Sequence, residues 1–310
     1  MFSQFLEELK QKEIEVSFRG GKIKYNGPEE YITPEFIKRL KKYKGDLISH
    51  FWPQGCKNLI SVSPAGSKIP IVLIYCNNII YHLSDYFGPD QPLYGFFDKG
   101  WLTGEKNIHK SVESIAKDYV NQLQKVLPNG PYYIGGHSLG GNLAYEMAVQ
   151  LKKAGHDVSF VFVLDSKSPY VGESFHQPGE KFYVYKSILR PFIKKLWQYI
   201  KMPVFNSLYL VIKSFPVKLR RYYIITNYLM LLFKYKPKEF DGDLLLFRAG
   251  QDNYFSESEY GWEELVNNVT YVNLECTHMT IVKEKENIIT IGKEIEKHLI
   301  KRRELERLIS

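Results

Sequence analysis

Five consecutive residues, Gly136-His137-Ser138-Leu139-Gly140, have the types and spacing of a nucleophile turn. A serine hydroxyl can attack an acyl carbon once a neighbouring base takes its proton. The G-x-S-x-G spacing presents that hydroxyl at a sharp corner between a strand and a helix. Side chains in place of the two glycines would collide with the neighbouring strand and helix. The flanking residues suit such a corner: Tyr132-Tyr133-Ile134 is apolar and strand-like, and the run from Leu139 favours a helix. The helix N-terminus adds the positive end of its dipole near an oxyanion formed there.

A nucleophilic serine also needs a base and an acid, and with this elbow the chain order is serine, acid, histidine. His278, in Glu275-Cys276-Thr277-His278-Met279-Thr280, lies just past a strand-like run near the C-terminus, where the base should fall. His156, His176 and His298 have poorer contexts. Two acids qualify. Asp165 ends the run Val161–Leu164 after the elbow helix, and Asp252 follows the next apolar run. The oxyanion hole should pair the backbone N–H of Leu139 with one from the loop Tyr75-Cys76-Asn77-Asn78, at Cys76 or Asn77. The string Gly135-Gly136-His137-Ser138-Leu139 is also similar to the site where carrier proteins accept phosphopantetheine. There the serine opens a helix after a loop, whereas here a strand precedes it and Gly140-Gly141 follow, so the elbow is preferred.

The elements around these residues alternate as in a parallel sheet. Strands are expected at Ile69–Tyr75, Tyr132–Gly135, Val158–Leu164, Asp243–Arg248 and Val269–Leu274. Helices are expected at Val112–Val126, Leu139–Ala154 and Ile288–Leu308. The unbroken apolar runs Val161-Phe162-Val163-Leu164 and Leu244-Leu245-Leu246-Phe247 suit strands buried on both faces. The stretch of about 170–240 is basic, with Glu180 the sole acid of residues 175–238, and aromatics run through it. An insertion of this size between strands suits a helical lid.

Residues 1–52 follow a different order. Phe2, Phe5, Leu6 and Leu9 recur at helical spacing; Ile14, Val16 and Phe18 alternate up to Gly20-Gly21, and Ile23 and Tyr25 continue beyond it. That is a helix and then a hairpin. Thr33-Pro34 is a helix start, and Gly45 is a candidate break between two further helices. Residues 53–68, with Pro53, Gly55, Pro64 and Gly66, read as a linker to the larger unit at 69–310.

Composition bounds the rest. The 310 residues are 44% hydrophobic, enough for a large core rather than a disordered chain. The net charge of +8 admits nucleic acid, an anionic membrane or an acidic protein as partners, and charge alone does not choose. Three scattered cysteines, Cys56, Cys76 and Cys276, have no disulfide or zinc spacing and fit a reducing, cytoplasmic setting. The N-terminus has no signal-peptide core and no apolar run reaches membrane-spanning length, so a water-soluble chain is expected.

From about Leu59 onward the chain resembles the thioesterase domains of nonribosomal peptide and polyketide synthetases. The residues that carry this are PAGSKIPIVLI, FGPDQPLYGF, YYIGGHSLGGNLAYEMA, VFVLDSKSP, DGDLLLFRA and Gly261-Trp262, with the His278 segment. The resemblance implies an α/β-hydrolase fold and a catalytic set of Ser138, Asp165 and His278, with Asp165 preferred to Asp252. It implies no bound cofactor: the substrate arrives on the phosphopantetheine of an acyl or peptidyl carrier protein. One departure is local. The family usually has a His-Pro pair and glycines after the first strand, which Tyr75–Ile79 lacks.

Residues 1–52 resemble N-terminal docking domains of the tubulysin-synthetase type, on GGKIKY, ITPEFIKRL and KKYKGDLISHF. The resemblance implies that the hairpin takes an upstream subunit's C-terminal tail as an added strand. Arg19, Lys22 and Lys24 would suit an acidic tail. Together the two resemblances imply release of an acyl chain in trans, by hydrolysis, cyclisation or transfer to an amine or alcohol, without nucleic acid. The alternatives are an acyltransferase or proofreading thioesterase, a non-catalytic docking scaffold, and a lipase whose basic lid touches a membrane.

Overall fold

The computed structural model describes residues 2–309 apart from 20–21, 52, 54, 64–65, 76–78, 99–108, 170–216, 233 and 252–259. The first elements are α1 (Phe2–Gln11), the hairpin strands β1 (Glu15–Arg19) and β2 (Lys22–Asn26), α2 (Pro34–Lys42) and α3 (Lys44–Phe51). They close on a core of their own, made of Phe5, Leu9, Ile14, Phe36, Leu40 and Leu47. The β1–β2 pairing is antiparallel and ends with Arg19 opposite Lys22. Thr33 caps α2, its Oγ1 accepting from Phe36 N at 3.2 Å, and Pro34 occupies the first helical position. The break between α2 and α3 falls at Tyr43 rather than Gly45, which lies within α3. Tyr43 leaves the helical path where its ring stacks on Phe5, 5.0 Å between centroids.

Glu8 of α1 takes Arg39 of α2 through two hydrogen bonds, 3.0 and 2.6 Å, and Lys12 through a third. Hydrogen bonds from Arg39 first, then Lys12, hold the Glu8 carboxyl down at about 2 from 4.5. Because the folded value is depressed, this contribution is complete above about pH 4.5 and is lost as pH falls toward 2. All three side chains are about a third exposed, so solvent screening keeps it to about 1 kcal/mol or less. Protection factors of the α1 amides, taken relative to intrinsic exchange at each pH, should therefore fall over that window in the wild type more than in Glu8→Gln. Equal acid dependence in the two proteins would contradict the pairing.

The rest of the described chain is built on a seven-stranded sheet, ordered β3-β5-β4-β6-β7-β8-β9. Its strands are β3 (Leu59–Ser63), β4 (Ile71–Ile74), β5 (Leu93–Phe96), β6 (Tyr132–His137), β7 (Val158–Leu164), β8 (Phe240–Ala249) and β9 (Val266–Leu274). Only the pairing of β3 with β5 is antiparallel. The stretch 53–68 is thus not all linker, because the sheet begins inside it. Leu59 and Ile60 are fully buried against β5, but the short run sits among proline, glycine and serine that mask it in the sequence.

Helices cover both faces: α4 (Ile79–Phe87), α5 (Val112–Val126), α6 (Leu139–Lys153), α7 (Val217–Leu232) and α8 (Lys285–Ile309). The side-chain alternation of strands divides the core between the two faces. Val72, Ile74, Ile134, Val161, Val163, Leu244 and Leu246 pack with α5, α6 and α7. Ile71, Leu73, Tyr133, Phe160, Phe162, Leu245 and Phe247 pack with α4 and α8. Both sets are buried, which is why the central strands read as continuous apolar runs. The long basic insertion is described only from α7 onward. Ile224, Tyr228 and Leu231 of α7 are buried at helical spacing, and the Tyr228 hydroxyl donates to buried Asp98 at 3.2 Å. No helix among the described residues is long and apolar enough to cross a membrane.

Candidate active site

Three adjacent strands end in the same unusual way. Tyr75 after β4, Ser138 after β6 and Asp165 after β7 have φ of 56°, 54° and 47°. Such values in non-glycine residues cost about 1–3 kcal/mol each and persist only where the surroundings enforce them. These are the C-terminal ends of parallel strands, where open α/β sheets place their sites.

At the middle corner, Ser138 has φ 54° and ψ −122° and leads directly into α6. Its N–H donates to Leu164 O at 3.0 Å, and its carbonyl accepts from Gly141 N at 2.9 Å and from Ser166 Oγ at 2.7 Å. Ser166 is held in turn by Asn142 Nδ2 at 3.1 Å, and its carbonyl accepts from the indole of buried Trp262 at 2.7 Å. The elbow is thereby tied to the end of β7. The glycines are steric requirements: a Cβ on Gly136 would lie 2.2 Å from Gly140 O, and one on Gly140 would lie 2.1 Å from Ile74 O. Gly140→Ala should therefore destabilise the fold by about 3 kcal/mol, since backbone stands in the way. It should also slow labelling of Ser138 by a fluorophosphonate. A urea midpoint like the wild type's would contradict the close approach of α6 to β4.

Asp165 and His278 meet, His278 Nδ1 lying 2.6 Å from Asp165 Oδ2. The other carboxylate oxygen accepts from Ala249 N at 3.1 Å and from the Tyr260 hydroxyl at 2.5 Å. Burial pushes the Asp165 carboxyl up, but hydrogen bonds from His278 and Tyr260 outweigh it and the net direction is down. Asp165 is thus an acceptor, and His278 donates to it from Nδ1. Burial, then the Asp165 charge, pushes the Tyr260 hydroxyl up, so it stays a donor.

The His278 ring also stacks on His137, with centroids 4.7 Å apart and planes at 29°. His137 immediately precedes Ser138, so the His278 ring lies beside the elbow. Burial, and then the nearby His278, hold the His137 imidazole down at about 3, uncharged at neutral pH.

Leu139 opens α6, so its N–H is among those a helix leaves without a partner of its own. Cys76, Asn77 and Asp252 lie outside the described residues. Lys24 is exposed on β2, while Arg19 and Lys22 are register partners at the end of the hairpin next to Gly20-Gly21. Sequence reasoning did not single out His137, Ser166, Tyr260 or Trp262 for these contacts. Each reaches a partner far along the chain, and no local pattern marks them.

Residues 97–182 match the thioesterase domain family, and residues 3–52 match the TubC N-terminal docking domain family. Over 253 residues, 78% of this chain, it is 28% identical to malpibaldin synthetase of Mortierella alpina. Over 249 residues, 76% of this chain, it is 26% identical to a dimodular nonribosomal peptide synthase of Bacillus subtilis (strain 168). These alignments span only 4% and 10% of those relatives' lengths. Among solved structures, the NocB thioesterase domain from the nocardicin cluster superposes with a TM-score of 0.58 at 19% identity, over 79% of this chain and 99% of that one. The four-domain nonribosomal peptide synthetase AB3403 does so with a TM-score of 0.59 at 21% identity, over 82% of this chain and 21% of that one. At these identities the superpositions speak for the fold, and the family matches identify a TubC-type N-terminal docking domain over residues 3–52 and a thioesterase domain, a serine-hydrolase family of the α/β-hydrolase fold, over residues 97–182.

Proposed function

We propose that the chain releases an acyl or peptidyl group from a carrier protein of a nonribosomal peptide or polyketide assembly line, through an acyl-serine on Ser138. The observation that carries this reading is the 2.6 Å hydrogen bond between His278 and Asp165, beside a serine held at a strained elbow. His278 Nε2 takes the Ser138 proton as the hydroxyl oxygen attacks the thioester carbonyl. The oxyanion is met by Leu139 N–H at the positive end of α6 and by a donor from the loop after β4, at Cys76 or Asn77. The carbon–sulfur bond then breaks, and the proton on His278 passes to the departing pantetheine thiolate. Water, or an amine or alcohol from within the chain or from a second molecule, attacks the acyl-serine with His278 again as base. The phosphopantetheine belongs to the carrier and enters as part of the substrate.

The reading assigns 1–52 as the docking unit and about 170–240 as the lid. The docking unit would receive the C-terminal tail of an upstream synthetase subunit along its hairpin, with Arg19, Lys22 and Lys24 choosing an acidic sequence. The lid, basic and aromatic, would favour an acidic carrier and cover a long apolar chain. Scattered cysteines suit a cytoplasmic setting. Mass spectrometry of the protein mixed with an acyl-loaded carrier tests this. Loss of the acyl group from the carrier, with a free acid, ring or conjugate appearing, is the expected result. A carrier that stays loaded would favour a non-catalytic scaffold instead.

A further inference from the structure

His137 makes two contacts with one residue, and both are to His278. Its ring lies against the His278 ring at 4.7 Å, and its Nε2 is 3.0 Å from the His278 carbonyl oxygen. A carbonyl only accepts, so Nε2 of His137 carries the proton and donates. His278 sits in a turn after β9 that Thr277 and Thr280 close, Thr280 N donating to Thr277 O at 3.0 Å and Thr277 N to Thr280 Oγ1 at 3.0 Å. Asp165 at Nδ1 and the face of His137 both bear on its ring. The His137 Nε2–H also holds its backbone carbonyl.

We infer that His137 is a positioning residue for the base: by gripping both the ring face and the backbone carbonyl of His278, it sets where Nε2 points relative to Ser138. This rests on the reading of Ser138, Asp165 and His278 as the reacting set. It assigns His137 a task that neither the serine nor the acid performs. Because the imidazole sits at the last position of β6, directly before Ser138, one short segment carries both the nucleophile and the clamp on its base. A displacement of the elbow would then move both together. His137 stays uncharged at working pH through its burial, so it can stack against the imidazolium that forms during attack without adding a like charge.

Two substitutions separate the contacts. His137→Phe keeps a flat ring but removes the donor, and His137→Gln keeps an N–H donor but removes the ring. Turnover of an acyl-pantetheine thioester by His137→Phe should show kcat lower by roughly 10- to 100-fold, the usual result of misplacing a reacting group by about 1 Å. KM should be nearly unchanged. His137→Gln should recover much of that loss. In proton NMR, the low-field His278 Nδ1–H resonance should move upfield and broaden in the Phe variant and return in the Gln variant, a change that loss of stability alone does not produce. The end point of fluorophosphonate labelling, as opposed to its rate, reports the folded fraction and should match the wild type in both. A Phe variant with wild-type kcat and an unmoved resonance would overturn the proposal. So would Phe and Gln variants that lose activity equally and in step with Tm. Absence of label on Ser138 in the wild type would instead sink the reading of the site itself.

Discussion

Ser138→Ala is expected to lower kcat for thioester release by about 10⁴-fold or more while leaving the fold intact. The removed oxygen forms the covalent intermediate, so no neighbour can substitute for it. The structural cost is small. Ser138 is tied into the elbow through its backbone, by Leu164 O, Gly141 N and Ser166 Oγ, and all three contacts survive truncation at Cβ. Alanine accepts the positive φ no better than serine does, so the strain is neither added nor relieved. Steady-state release from a loaded carrier, together with circular dichroism and Tm, checks both halves. A variant that retains substantial turnover would show that another group is the nucleophile.

Asp165→Asn should cost about 10⁴-fold in kcat, by a different route. As a carboxylate, Asp165 accepts on Oδ2 from His278 Nδ1–H, and in the proposed mechanism Nε2 is then the atom that takes the proton. An amide nitrogen at the Oδ2 position donates instead. It turns His278 to the other tautomer, with Nε2 protonated and useless as a base. The Oδ1 side, which accepts from Ala249 N and Tyr260 OH, is preserved by the amide oxygen, so stability should change far less than rate. The companion variant Asp252→Ala decides between the two acids open in the sequence. If it abolishes turnover while Asp165→Asn spares it, the acid is Asp252.

The corner from β6 into α6 was legible in the sequence because its chemistry is local: glycines at fixed offsets, an apolar run before and a helix former after. Strands β7 and β8 were legible because burial on both faces leaves unbroken apolar runs. Strand β3 was not, since five residues at the sheet edge, flanked by turn-forming residues, look like a connector. Strand β5 has only four residues, Leu93–Phe96, and α4 is apolar on most sides, so neither shows a clear period. The α2–α3 break followed an aromatic contact at Tyr43 that no propensity scale reports.

The site divides in the same way. Ser138 and His278 stood out by motif and chain order. Asp165 was separated from Asp252 only by family resemblance, because two aspartates after two parallel strands are equivalent to any local reading. Tyr260 and His137 act across 95 and 141 residues of chain. Their roles depend on which strand ends lie side by side, and that is decided by the sheet order rather than by neighbouring residues.

The central claim, that Ser138 is the nucleophile activated by His278, is tested most directly by labelling with a fluorophosphonate followed by peptide mapping. The account predicts one adduct on the wild-type protein, carried by the peptide containing Ser138 and absent from Ser138→Ala. Label on a different residue, or none on a folded wild-type protein, would contradict it.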